Sequence, residues 1–166
     1  TPYYGIFDEK GISFDNRDGL PLTVKGQLPG GRYALPGDVS SQFFTGLLFA
    51  LPLVGDDSVL ISTTTLESKS YVDMTLDTLV RHGITIHEKS PEHYEIPGGQ
   101  SYKTGAFAVE GDYSQAAFWL VSGLTGAGIT LQGLFLDSKQ GDKAILTILS
   151  KMGGDIREED GMIAAK

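Results

Sequence analysis

Asp38, Ser40, Ser41 and Gln42 stand directly ahead of an apolar run that begins at Phe43, and Ser68, Lys69 and Tyr71 stand directly ahead of a second patterned stretch that begins at Val72. Hydroxyls, an amide, an amine and a phenol at helix starts meet free backbone N–H groups and the positive end of the helix dipole. That combination suits a phosphate or a carboxylate. A single side chain is enough to cap a helix, and Asp38 or Ser40 could do so. The doubled hydroxyl with an amide exceeds that need. The second row reads equally as a cap, with Tyr71 as a half-buried staple. If both helix starts open toward one cleft, the two rows can grip one anion.

The elements that carry these rows are repeated. The stretch beginning Gly37-Asp38-Val39-Ser40-Ser41-Gln42 returns as Gly111-Asp112-Tyr113-Ser114-Gln115, and Ser68-Lys69-Ser70-Tyr71 returns as Ser138-Lys139-Gln140-Gly141. Periodicity alternates between strand and helix in each copy, so the unit reads strand, helix, strand, helix, hairpin, an α/β repeat. The first helices, over 40–53 and 113–124, are apolar nearly all round, which predicts burial on every side. The second helices each carry one apolar stripe: Val72, Leu76, Leu79 and Val80, then Ile145, Ile148, Leu149 and Met152. Gly83 and Gly153 are expected to stop them in the left-handed conformation, ahead of strands over 84–87 and 155–157. Hairpins over 88–94 and 158–161 close the units. Ser114 and Gln115 echo Ser40 and Gln42 and are read as capping.

Composition excludes several functions. With 166 residues, 40% of them hydrophobic, the chain can bury one ordinary core or two small ones. A formal charge of -8 and the absence of any basic run argue against nucleic acid and anionic membrane as partners. No apolar stretch is long enough to cross a bilayer. The absence of Cys removes disulfides and thiolate chemistry and is compatible with a reducing cytoplasm. Both ends read as cuts through a longer protein. His82, His87 and His93 lack metal-ligand spacing. Asp73 and Asp77, one turn apart, fall on a polar face and are expected to be solvated.

Five stretches together carry a resemblance: residues 37–43, Ser68-Lys69-Ser70-Tyr71 with the residues to Leu76, Gly98-Gly99-Gln100-Ser101-Tyr102, residues 109–114, and Met152-Gly153-Gly154. In this order they resemble the central part of the 5-enolpyruvylshikimate-3-phosphate (EPSP) synthase family, most weakly over 1–19. One departure is Ser70, where the family usually has Pro, a residue that pre-sets the first helical φ. The resemblance implies an inside-out α/β barrel built from such units and incomplete here, with 1–109 belonging to the first globular half and 110–166 forming one unit of the second. It implies that Ser40, Ser41 and Ser68 bind shikimate 3-phosphate, largely at its phosphate. By the same resemblance Gln42 lies between that substrate and phosphoenolpyruvate, and Tyr71 lies against the shikimate ring.

The family moves the enolpyruvyl group of phosphoenolpyruvate to the 5-hydroxyl of shikimate 3-phosphate, in the cytoplasm and without metal or cofactor. Its catalytic Lys, Arg, Asp and Glu have no counterparts in this stretch, so the fragment is expected to hold no catalytic residue and to be inactive alone. The complete enzyme is expected to be a monomer; an open repeat end could let the fragment self-associate. Two other readings compete. A UDP-N-acetylglucosamine enolpyruvyl transferase fragment is disfavoured by the Ser40-Ser41-Gln42 triplet, and a non-catalytic domain for phosphorylated ligands is the other.

Overall fold

The computed structural model describes residues 2–16 and 19–166, which form two compact units, Thr1–Gly105 and Ala106–Lys166. Thr1, on which the reading of a cut start rests, lies outside the described residues, as do Arg17 and Asp18.

The first unit opens with α1 (Pro2–Lys10) and the hairpin strands β1 (Ser13–Asp15) and β2 (Thr23–Lys25). The repeat follows. In β3 (Gly31–Leu35), Tyr33 and Leu35 turn inward between exposed neighbours, the period-two pattern of a half-buried strand. β3 pairs in parallel with β4 (Ser58–Ser62), with Tyr33 opposite Leu60. A parallel pair needs a crossover, and α2 (Ser41–Ala50), prolonged by a 3₁₀ turn over Leu51–Leu53, supplies it. After α3 (Lys69–Arg81) the hairpin of β5 (His87–Ser90) and β6 (His93–Ile96) adds antiparallel, giving the order β3-β4-β6-β5. Phe44, Leu47 and Leu48 of α2 and Val72 and Leu79 of α3 pack with Tyr33, Leu35, Leu60, Tyr94 and Ile96 in one core.

The second unit contains α4 (Tyr113–Thr125), β7 (Ile129–Leu131), α5 (Ala144–Lys151), β8 (Ile156–Glu159) and β9 (Met162–Ala165), with sheet order β7-β9-β8. Its core gathers Tyr113, Ala116, Leu120, Leu134, Leu149 and Ile163.

The mixed α/β architecture is the expected one, with four local corrections. The second copy has no counterpart of β3: residues 106–112 form no strand, Val109 is 94% exposed, and this stretch is tied to the unit by the Gly111 N–H on the Gly133 carbonyl at 2.7 Å. Residues 84–86 are likewise not a strand. Gly83, at φ +78°, ends α3 in a Schellman turn in which the Ile84 N–H reaches the Leu79 carbonyl, while Thr85 is held at both its N–H and its carbonyl by the Gln100 amide. Those bonds replace the ladder, and β5 begins only at His87. The third correction concerns α4, which is not buried all round. Phe118 and Trp119 are 74% and 59% exposed, because one three-stranded sheet and α5 cover a single side. The stripes also overreach, since Val80, Ile148 and Met152 face outward. Asp73 and Asp77 stay partly solvent-exposed on α3, in keeping with a polar face, and each is ion-paired one turn along the helix, with Lys69 and Arg81.

Candidate functional site

Two loops place the starts of α2 and α3 side by side. The Gly37 N–H donates to Thr64 Oγ1 (2.9 Å), the Glu67 N–H donates to the Gly37 carbonyl (3.1 Å), and Ser62 Oγ donates to the Thr64 carbonyl (2.6 Å). A glycine is required at the crossing. A Cβ at position 37 would strike Ser62 Oγ and lie 2.9 Å from Leu66 Cα, closer than folded proteins allow. Farther along, α2 and α3 are joined by Thr45 Oγ1 and Thr75 Oγ1 at 3.1 Å.

The groove between the helices is a cavity of about 470 Å³ lined by Ser40, Ser41, Gln42, Ser68 and Tyr71 at the helix starts, and by Thr45, Phe49, Met74, Thr75 and Thr78 beyond them. All five site residues expected from the sequence therefore line one cavity. The second five were missed. Their signal was helical spacing from the first set, since 41, 45 and 49 follow one face of α2 and 71, 74, 75 and 78 one face of α3.

The hydroxyls have different local duties. Ser40 is the N-cap of α2: its backbone is extended and its Oγ accepts the Gln42 N–H at 3.2 Å. A capping hydroxyl accepts with a lone pair and keeps its proton, so Ser40 caps the helix and can still donate into the cavity. Ser41 is buried, and its hydroxyl has no hydrogen-bond partner among the described residues. Ser68 does not cap α3 with its side chain. It sits in the left-handed region, φ +54° and ψ +40°, an uncommon conformation for a serine that leaves its hydroxyl unspent. Tyr71, half exposed, forms the wall opposite Ser40 and Ser41 on α3.

No cationic side chain among the described residues lines this cavity. Lys69, one residue from Ser68, pairs instead with Asp73 and with Glu88 Oε1 at 3.0 Å. Burial pulls its pKa down, but these two hydrogen-bonded carboxylates outweigh burial and hold it above the ordinary lysine value. It thus pins α3 to the β5–β6 hairpin. An anion here would be met by hydroxyl and amide donors and by the free first-turn N–H groups of α2 and α3, with the dipoles behind them.

The fold is that of the enolpyruvyl transferases. The chain superposes over 98% of its length on EPSP synthase from Acinetobacter baumannii (TM-score 0.68, 20% identity, 37% of that chain) and on the enolpyruvyl transferase NikO from Streptomyces tendae (TM-score 0.70, 15% identity, 41% of that chain). The profile of the family described as EPSP synthase (3-phosphoshikimate 1-carboxyvinyltransferase) matches residues 7–166, and the chain belongs to that family. It is 51% identical over 162 residues to the 3-phosphoshikimate 1-carboxyvinyltransferase of Clostridium kluyveri, covering 97% of this chain and 38% of that protein. It is 49% identical over 159 residues to the one from Clostridium acetobutylicum, covering 95% of this chain and 37% of that protein. The chain thus spans less than two-fifths of the length of these relatives.

Proposed function

We propose that this chain carries the hydroxyl-lined part of a shikimate 3-phosphate site and belongs to a cytoplasmic 3-phosphoshikimate 1-carboxyvinyltransferase. The complete enzyme joins the enolpyruvyl group of phosphoenolpyruvate to the 5-hydroxyl of shikimate 3-phosphate. The carrying observation is the convergence of Ser40, Ser41, Gln42, Ser68 and Tyr71 on one cavity between two helix starts. In this reading the Ser40, Ser41 and Ser68 hydroxyls donate to the phosphate, the Tyr71 ring stands against the sugar-like ring, and Gln42 faces the second substrate. Residues 1–109 belong to the first half of the complete enzyme and 110–166 form one repeat unit of the second. General acid and base groups come from elsewhere in that enzyme, so these residues bind and orient.

Affinity of the chain alone is low. Three or four hydrogen bonds to a charged phosphate contribute roughly 1.5 to 3 kcal/mol each, while association costs roughly 4 to 15 kcal/mol. Without a cation at the site, millimolar binding and no turnover are expected. An amide-resolved NMR titration with shikimate 3-phosphate tests this, with UDP-N-acetylglucosamine and inorganic phosphate as controls. Shifts at Ser41 and Ser68 that saturate with shikimate 3-phosphate and vanish in the Ser40→Ala, Ser41→Ala double variant are expected. A preference for the UDP-sugar would overturn the reading.

A further inference from the structure

Beyond the helix starts, the cavity wall carries three threonine hydroxyls whose protons are already committed. Thr75 Oγ1 donates to the Tyr71 carbonyl at 2.9 Å, and Thr78 Oγ1 donates to the Met74 carbonyl at 2.8 Å. A hydroxyl has one proton. In the 3.1 Å contact between Thr45 and Thr75, Thr75 must therefore accept and Thr45 donate. This part of the wall offers lone pairs and no free donor, set among the side chains of Phe49 and Met74. The other end, at Ser41 and Ser68, offers hydroxyl protons and free N–H groups. The cavity is thus polarised along its length, with donors at the helix starts and acceptors one turn in, about 6 Å away.

We infer that Thr45, oriented by Thr75, is a specificity-determining residue of this site: it accepts a hydroxyl of the ligand's ring and disfavours any anionic group placed there. The inference rests on the proposed phosphate site and adds to it an orientation. The phosphate lies at the donor end, a neutral hydroxyl reaches Thr45, and a ligand carboxylate points away from the threonines because lone pairs would face its charge. Recognition of a hydroxyl by a committed acceptor discriminates sharply, since a ligand lacking that donor leaves the site's polar atoms without a partner.

The test compares shikimate 3-phosphate with inorganic phosphate, which fills the donor end alone, by NMR titration of the Ser41 and Ser68 amides. Thr45→Val, which keeps shape and removes the acceptor, is expected to raise the Kd of shikimate 3-phosphate about fivefold while leaving that of phosphate unchanged. Thr45→Ser, which keeps the hydroxyl acceptor, should leave the Kd of both ligands at the values of the unaltered chain. Thr75→Val frees the Thr45 proton and should reduce the preference for shikimate 3-phosphate in the same sense; it carries the test if Thr45→Val does not fold. Equal weakening of both ligands, as a merely structural role would produce, or no change in either overturns the inference and leaves the proposed site standing. If neither ligand shifts these amides in the unaltered chain, the proposed site and the inference fall together.

Discussion

Ser70 and Gln140 hold the same place in the two copies, 70 residues apart, yet they leave the neighbouring helix start in opposite conditions. In the second copy the Gln140 Oε1 accepts the Tyr113 N–H (2.8 Å) and its Nε2 donates to the Gly111 carbonyl (2.8 Å), so one amide closes the first turn of α4. Asp112 completes the closure by accepting the Ser114 N–H at 2.7 Å, and the hydrogen bonds from Ser114 hold its carboxyl below the ordinary range. In the first copy Ser70 makes no bond of this kind among the described residues. The start of α2 is capped only by Ser40, and the hydroxyls of Ser41 and Ser68 are left facing a cavity. A repeat can thus hold one architecture while a single side-chain length decides whether a helix start is satisfied internally or left open for a ligand.

The largest break in this comparison comes at the paired glycines. Gly37→Ala forces a Cβ into backbone and is expected to cost about 3 kcal/mol. Gly111→Ala meets Leu134 Cδ2 at 3.1 Å and the Gly133 carbonyl at 3.3 Å, contacts that can yield, and should cost about 1 kcal/mol. Urea denaturation of the two variants checks the order, and similar losses would mean that the loop crossing at Gly37 is not specially tight.

Next in size is Gln140→Ala. It strips the partners from a buried helix start and is expected to destabilise the second unit by about 2 kcal/mol, against under about 0.5 kcal/mol for Ser70→Ala in the first. Trp119 lies in the second unit and is the chain's single tryptophan, so its fluorescence reports that unfolding directly. A smaller effect of opposite sign is expected at Ser68. Ser68→Gly relieves the left-handed backbone and should stabilise the first unit by about 1 kcal/mol while weakening shikimate 3-phosphate binding. Ser68→Ala should weaken binding without the gain. A thermal melt beside the titration separates the two.

The least effect near neutrality is expected from the tyrosines, whose influence grows only in base. Burial pushes the Tyr3 hydroxyl up to about 12, and burial also raises Tyr33, Tyr94 and Tyr102 in the first unit, against Tyr113 alone in the second. These groups stay neutral in the fold after the unfolded chain has begun to ionise near pH 10. Their stabilising contribution is complete below that pH and falls as pH rises from about 10 toward 12. Denaturation across that range should show the first unit losing stability more steeply than the second, and Tyr3→Phe should flatten its slope.

Much of the candidate site was legible because its signals are local. The doubled serine ahead of an apolar run marks a helix start, and the Ser-Lys-Ser-Tyr row marks another. The glycines at 83 and 153 stop helices through their own positive φ, at +78° and +93°. Periodicity also gave the α/β class, because 3.6-residue and two-residue patterns come from the backbone itself. It overreached where burial depends on neighbours: α4 has the composition of an enclosed helix, and its Phe118 and Trp119 lie open.

What tertiary structure decided was each relation between segments distant in the chain. Residues 37 and 64 cross, Thr45 meets Thr75, Lys69 turns to Glu88 rather than to the cavity, and Gln140 reaches back to Tyr113. The row at 106–110 resembles a strand in composition, yet a strand exists only where a neighbour completes its ladder, and here none does. Local sequence sets what each segment can be, since that is settled by φ, ψ and side chains a turn away. Thr75 and Thr78 spend their protons on carbonyls one turn back, a local matter, but Thr45 spends its own on Thr75 far along the chain, and only packing brings those two hydroxyls to 3.1 Å.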